Sequence, residues 1–174
     1  MKKNILHFLV VGLAVMCSFS VYAADGTISF SGSISNQTCV IEGNSGVTAK
    51  TVPMDRVAAS SMSTVGQVAG RKGFSLALTG CTGSSALVRF EQGATVDAAT
   101  GNLINQASDG SNVQIQILNA NFEPINLQTN EGSISTAIND KAASVKFYAQ
   151  YIAATAAATA GQVTSSVQFS MDYN

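Results

Sequence analysis

Residues 25–34 read Asp25-Gly-Thr-Ile-Ser-Phe-Ser-Gly-Ser-Ile34, and this stretch alternates in polarity with a period of two. Its apolar residues and glycines share one face, which carries Gly26, Ile28, Phe30, Gly32 and Ile34. The other face carries only serine and threonine. A strand with this pattern buries its apolar face and exposes its polar face. The stretch therefore predicts a strand that needs a groove, and that groove can belong to its own chain or to another molecule.

The chain before this stretch has the features of a secretory signal peptide. Lys2 and Lys3 form a basic start, residues 5–19 are an apolar run, and Val21-Tyr22-Ala23 offers a small-residue cleavage site. We predict a signal peptide over residues 1–23. The remaining residues 24–174 are about the length of one domain.

The cysteines indicate a disulfide. Cys17 lies in the predicted signal peptide, which leaves Cys39 and Cys81 in the mature chain. Two cysteines in an exported chain favour a bridge, and the alternative is two separate thiols. Closing a loop of this length would stabilise the fold by roughly 4 kcal/mol.

The composition argues against catalysis and against nucleic-acid binding. The only histidine, His7, leaves with the signal peptide, so the mature chain lacks a histidine base or metal ligand. The acidic residues are scattered, and nine Lys and Arg against ten Asp and Glu form no basic stripe. We predict a protein that is not an enzyme, holds no metal or cofactor and binds no nucleic acid.

Strand patterns recur along the chain with turn residues between them. We predict strands at residues 38–42, 47–52, 74–81, 86–91, 113–117, 145–153 and 167–174, a short strand or turn at 103–104 and a short piece at 134–138. Residues 56–70 are predicted as a loop with one helical turn near 57–62, and residues 154–161 as a loop. Such a series predicts an all-β sandwich. In the strand over 145–153, Tyr148 and Tyr151 are predicted as one surface and one core residue, with a sugar-stacking role as the alternative.

Both ends of the mature chain are predicted strands. The C-terminal strand places Val167, Phe169, Met171 and Tyr173 on one face. An unpaired terminal strand promotes aggregation unless it is paired or covered. Each end can pair inside the sandwich, or it can take part in strand addition between chains.

Taken in order, these features resemble the chaperone–usher fimbrial subunits (pilins), closest to the type 1 major-subunit group. The resemblance covers the mature chain and rests on several segments together. These are the opening stretch, Cys39, the strand before Cys81, residues 113–118, residues 145–153, the glycine at the fourteenth position from the end (Gly161) and the penultimate Tyr173.

The resemblance implies an incomplete immunoglobulin-like β-sandwich, the pilin fold, over residues 37–174. Residues 24–36 would be an N-terminal extension that serves as a donor strand. A periplasmic chaperone would lend a strand to the hydrophobic groove of the sandwich. The next subunit's extension would replace that strand at the outer-membrane usher. The donor positions would be Gly26, Ile28, Phe30, Gly32 and Ile34, and the groove edge and chaperone site would comprise Gly161, Val167, Phe169, Met171, Tyr173 and the carboxylate of Asn174.

The resemblance also implies a function and a location. The chain would be exported through the periplasm to the cell surface, where copies of itself or related pilins polymerise into a fimbria that supports cell adhesion. The alternatives are a minor or adaptor subunit, and a one-domain adhesive subunit that binds a host glycan or protein.

Overall fold

The structure, a computed structural model, describes residues 39–42 and 48–174, which belong to one compact unit spanning residues 35–174. The predicted signal peptide and the predicted donor positions lie outside the described residues. Within the described ranges, no helix is both long enough and apolar enough to span a membrane.

The described residues form eight strands and one short 3-10 helix at Ala59–Met62. The strands are β1 (Val40–Ile41), β2 (Val68–Thr79), β3 (Ser85–Phe90), β4 (Leu103–Ile104), β5 (Gln114–Leu118), β6 (Thr136–Ala137), β7 (Ala142–Ile152) and β8 (Phe169–Tyr173). They build a five-stranded sheet in the order β1-β2-β7-β5-β4 and a three-stranded sheet in the order β6-β3-β8. Every pairing between these strands is antiparallel.

The main hydrophobic core lies between the two sheets. The five-stranded sheet contributes Leu76, Ile117 and Phe147, and the three-stranded sheet contributes Val88 and Phe90. The Phe147 ring lies 5.5 Å from the ring of Phe90 across the core, in an edge-to-face arrangement that aromatic pairs prefer. Alternation along β7 and β3 thus supplies the inner faces of both sheets, and the predicted all-β sandwich is confirmed.

The predicted disulfide is also present. Cys39 and Cys81 are bonded, with their Cα atoms 4.2 Å apart and a sequence separation of 42. Cys39 immediately precedes β1, and Cys81 follows the end of β2. The bridge therefore attaches the two-residue strand β1 covalently to the strand that it pairs with.

Most predicted strands occur, but two predictions need correction. β2 begins at Val68 instead of residue 74, because its first residues pair with Tyr151 and Ile152 of β7. The strand predicted at 47–52 is wrong for residues 48–52, which pair with no described strand. A β-strand requires a neighbour for its backbone groups, and polarity alternation alone does not supply one. The helical turn near 57–62, the loop at 154–161 and the short strand at 103–104 are confirmed.

A β-bulge interrupts the pairing of β2 with β7. Ala69 pairs with Tyr151 and Lys72 with Ala149, so Gly70 and Arg71 both face the single residue Gln150. Gly70 has φ +66°, in the left-handed region that glycine adopts without strain. The bulge allows Arg71 Nε to donate a hydrogen bond of 2.9 Å to Gln150 Oε1.

Candidate functional site: an apolar groove at the edge of the sandwich

A long groove of ≈ 1510 Å³ runs along the sandwich between two extended segments. We call residues 48–57 the first rim and residues 158–169 the second rim. The floor is the inner face of the five-stranded sheet, and it includes Phe74, Leu76, Ile115, Ile117, Phe147, Ala149 and Tyr151. The groove therefore presents an apolar floor between two stretches of extended backbone.

The first rim has no main-chain hydrogen bonds to any described residue. Side chains attach it instead: Thr48 Oγ1 donates to Ile41 O at 3.1 Å, and Lys50 Nζ lies 2.9 Å from Glu42 Oε2. Met54 and Val57 pack on a small cluster around Met62 and Tyr151. With respect to the described residues, the main-chain donors and acceptors of this rim are unpaired, as at the edge of a sheet.

The second rim is anchored through its backbone. The side chain of Asn105 connects this rim to the neighbouring loop. Its Nδ2 donates to Ser111 O and Gln162 O, both at 2.8 Å, and its Oδ1 accepts from Thr164 N at 2.9 Å. Thr164 O also accepts from Gln106 N at 2.8 Å. These bonds use residues 162 and 164, and among the described residues the amides of 163, 165 and 167 make none. Residues 162 and 164 are therefore held through the backbone, while these three amides have no partner in the described part of the chain.

Gly161 fits the second rim because of a close backbone approach. A Cβ at this position would overlap Ser111 N and Gly110 C and would lie 3.0 Å from Asp109 O. The next residue, Gln162, forms a parallel bridge with Gly110. Any side chain at position 161 would separate these two segments, so glycine is required for the anchoring.

The last strand, β8, continues the line of the second rim. It pairs with β3 on one side, and no other described strand pairs with its second side. The chain end is held by a serine turn, because Asn174 O accepts hydrogen bonds from Ser84 N at 2.5 Å, Ser84 Oγ at 2.9 Å and Ser85 N at 3.0 Å. β8 is therefore an edge strand whose final residue has a defined position.

Burial affects two tyrosines around the groove. The pKa of Tyr151 is raised by burial and, secondarily, by the negative charge of Asp55 in the first rim. Burial also raises the pKa of Tyr173, while the Cys39 backbone amide acts in the opposite direction. Both hydroxyls therefore stay protonated at neutral pH, and the floor remains uncharged.

The structure distributes the predicted groove-edge residues along one line. Gly161, Val167 and Phe169 line the groove. Met171 and Tyr173 lie further along β8, where they are half-buried and pack against the core. The predicted positions on the donor stretch lie outside the described residues. Tyr151 is buried at 8% exposure and Tyr148 is half-buried, in agreement with the predicted core and surface positions.

The sequence does not predict the first rim of the groove or the hydrogen bonds by which Asn105 holds the second rim. Residues 53–57 carry no clear period, and Asn105 lies in a polar stretch that predicts only a loop. The one available signal was Pro53, because proline inside an extended segment is typical of an edge without a full ladder.

Comparisons with known proteins agree with this architecture. The family model for fimbrial proteins matches residues 28–174. The chain is 40% identical over 162 residues to the Major fimbrial subunit SMF-1 of Stenotrophomonas maltophilia, an alignment that covers 87% of this chain and 94% of that protein. A solved Burkholderia pseudomallei antigen and type I fimbria protein is 30% identical and superimposes with a TM-score of 0.58, covering 75% of this chain and 86% of that one. A subunit of a solved chaperone–usher pilus shares the fold at a TM-score of 0.62 and 15% identity, covering 89% and 99% of the two chains.

The fold and the groove define an incomplete immunoglobulin-like sandwich of the pilin class. The chain belongs to the Fimbrial protein family. Its place is in a cell-surface fimbria, and the family is one of structural subunits, as the residue chemistry of the sequence indicates.

Proposed function

We propose that this chain polymerises by donor-strand exchange as a structural subunit of a chaperone–usher fimbria. Residues 25–34 of one molecule, the donor stretch, would bind in the groove of another. The observation that carries this proposal is the groove itself, in which an apolar floor lies between two rims whose main chains include groups with no partner among the described residues. An added strand would cover the floor and pair with the open edge.

The donor stretch has the polarity that such a groove requires. Ile28, Phe30 and Ile34 would face the floor, while the serine and threonine side chains would face solvent. Burying each large side chain contributes about 1.5–3 kcal/mol. Gly26 and Gly32, on the same face, would occupy the shallow parts of the groove.

A chaperone strand would occupy the same groove before assembly. The chaperone would also bind the C-terminal carboxylate of Asn174, whose main chain is held at the Ser84–Ser85 turn. Residues 1–23 would direct export to the periplasm, and the outer-membrane usher would exchange the chaperone strand for the donor stretch of the next subunit.

Deleting residues 25–34 tests the proposal. We expect the shortened chain to co-purify with its chaperone, because the groove remains, and to be absent from surface fibres in electron micrographs. Two substitution variants separate the faces of the donor stretch. Ile28→Asp with Phe30→Asp should abolish fibres because it places charge on the apolar floor. Thr27→Ala with Ser29→Ala, which changes only the polar face, should preserve them.

Normal fibres from the deletion variant would show that another segment fills the groove. Equal loss of fibres in the apolar-face and polar-face variants would also contradict the proposal, because an inserted strand has two unequal faces.

A further inference from the structure

We propose that a second, polar cleft binds a neutral saccharide. This cleft, the outer cleft, has a volume of ≈ 400 Å³, and its polar lining consists of Thr100, Asn102, Gln116, Glu123, Asn126 and Glu131. Gln116 reaches it from β5, whose neighbouring residues Ile115 and Ile117 face the groove. Because successive residues of a strand point to opposite faces, the outer cleft lies on the other face of the sheet from the groove. A ligand there would not compete with an added strand.

The outer cleft offers both donors and acceptors that have no partner among the described residues. Gln116 Oε1 accepts from Gln150 Nε2 at 2.8 Å, which leaves Gln116 Nε2 free to donate. Asn126 Oδ1 accepts from two backbone amides, which leaves Asn126 Nδ2 free as well. Glu123 Oε1 and the Glu131 carboxylate remain free as acceptors. Sugar hydroxyls both donate and accept, so this mixed set matches them better than a purely acidic or basic set.

Asn102 is the most informative lining residue, because it is 5% exposed and its Oδ1 accepts no hydrogen bond from any described residue. Its Nδ2 donates to Gln114 Oε1 at 3.1 Å, and Thr100 Oγ1 donates to the same oxygen at 2.7 Å. Gln114 Nε2 in turn donates to Asp97 Oδ2 at 2.7 Å. The network holds the amide of Asn102 in one orientation. A ligand hydroxyl in the cleft would donate to the Oδ1 of this lining residue.

An exposed aromatic ring stands beside this cleft. Phe122, immediately before Glu123, is 49% exposed and has φ +66°, which is rare for an aromatic residue. The fully buried Asn119 maintains this turn: its Oδ1 accepts from the amides of Asn121 and Glu123, and its Nδ2 donates to Glu123 Oε2 and Gly132 O. Strained backbone that persists under such constraint is typical of functional sites.

Two side chains contact the Phe122 ring. It stacks on Tyr148 with ring centroids 4.4 Å apart, and the Arg71 guanidinium lies over the ring at 5.3 Å from its centroid. Arg71 is connected to the cleft residue Gln116 through Gln150, by hydrogen bonds of 2.9 and 2.8 Å. Phe122 is therefore linked to the polar cleft through side-chain contacts, although it is not one of the residues that line the cleft. Sugars have the same division, with an apolar C–H face and a polar hydroxyl rim.

The charges select a neutral ligand. Two carboxylates, Glu123 and Glu131, line the outer cleft, and none of its described lining residues is basic. Acidic saccharides would meet like charges at short range, which disfavours their binding. Neutral hexoses and N-acetylhexosamines meet no such penalty.

Saturation-transfer NMR on the purified mature protein tests the inference. The probes are glucose, galactose, mannose, N-acetylglucosamine and lactose, with sialyllactose as the anionic comparison. We expect saturation transfer to at least one neutral sugar and a much weaker signal from sialyllactose. Gln116→Ala and Phe122→Ala should each weaken binding about tenfold, as expected for the loss of one hydrogen-bonding or stacking contact.

Matched controls lie outside the cleft. Gln106→Ala removes an exposed glutamine whose side chain makes no hydrogen bond to any described residue, and Val65→Ala trims a side chain on a residue that is 60% exposed. Both should bind as the parent does. Phe122→Ala removes an exposed ring, so it keeps the test valid if Gln116→Ala fails to fold. The inference is overturned if no neutral sugar binds, if sialyllactose binds best, or if cleft and control variants behave alike.

Discussion

The two rims of the groove look similar in sequence, yet the structure holds them in different ways. The first rim, residues 48–57, is attached through side chains such as Thr48 and Lys50 and has no main-chain hydrogen bonds to described residues. The second rim, residues 158–169, is attached through its backbone by Asn105, Gln106 and the close contact at Gly161. Side chains therefore hold one rim, and backbone hydrogen bonds hold the other.

This difference indicates how an added strand would bind. A template with defined hydrogen-bonding positions sets the register of a new strand, because a shift by one residue would turn every side chain to the wrong face. We expect pairing to begin on the second rim and β8 and to be completed by the first rim.

The largest effect is expected from loss of the disulfide. Replacing Cys39 and Cys81 together with alanine should lower the free energy of unfolding by roughly 4 kcal/mol, measured by urea denaturation of the monomeric protein. Because the bridge secures β1, amide hydrogen exchange should increase more at Glu42, which directly follows β1 and whose amide donates to Ala77 O, than at Thr164 of the second rim. An equal increase at these two amides would show that the bridge does not selectively secure the β1 side of the groove.

A smaller effect is expected at Gly161. Gly161→Ala places a methyl group against the backbone of Gly110 and Ser111, which has no flexible side chain to move away. The expected cost is about 1–3 kcal/mol, with faster hydrogen exchange at Thr164. Gly93→Ala is the matched control, since a Cβ there meets nothing within 4 Å, and it should change stability by less than about 0.5 kcal/mol. Equal effects at the two glycines would contradict the anchoring of the second rim.

The smallest effect concerns Glu42, which connects β2 to the first rim. Its pKa is lowered from 4.5, first because it accepts a hydrogen bond from the Ala77 amide and then because of Lys50. A lowered pKa in the folded state means that the carboxylate stabilises the fold above its unfolded pKa. That contribution is lost as the pH falls through the folded pKa.

Glu42→Gln should therefore reduce the loss of stability between about pH 6 and pH 3, by less than about 1 kcal/mol. The measurement is the urea midpoint of each variant at both pH values. Asp97, whose pKa is also lowered, acts in the same direction and remains in both proteins, so only the difference between them reports on Glu42. An identical pH dependence of stability in the two proteins would show that the Glu42 carboxylate does not contribute to the attachment of the first rim.

Much of the fold could be predicted from local pattern. In β7, Val145, Phe147 and Ala149 alternate with polar residues, and a strand of that kind has only one way to bury its apolar side. The disulfide followed from the cysteine count after removal of Cys17. The groove is harder to predict from the sequence. Residues 48–52 have strand-like polarity but are not in a strand, because pairing depends on a neighbour that local sequence does not specify.

The outer cleft cannot be predicted from the sequence for a similar reason. Asn102, Gln116 and Asn126 lie far apart in the sequence, and nothing in their spacing indicates that they line one cleft. The sequence offers Tyr148 as a candidate for sugar stacking but does not point to its partner Phe122, because a turn residue with positive φ has no polarity pattern.

The sequence by itself determined the alternating strands, the two cysteines available for a bridge and the amphipathic stretch at residues 25–34. These are local properties, set by which side chains prefer water and by the two-residue period of an extended chain. Tertiary structure alone decided that the backbone holds one groove rim while side chains hold the other, and that polar residues from several elements line one cleft. Those properties depend on contacts between residues far apart in the chain, such as Asn105 with Thr164 and Gly161 with Ser111.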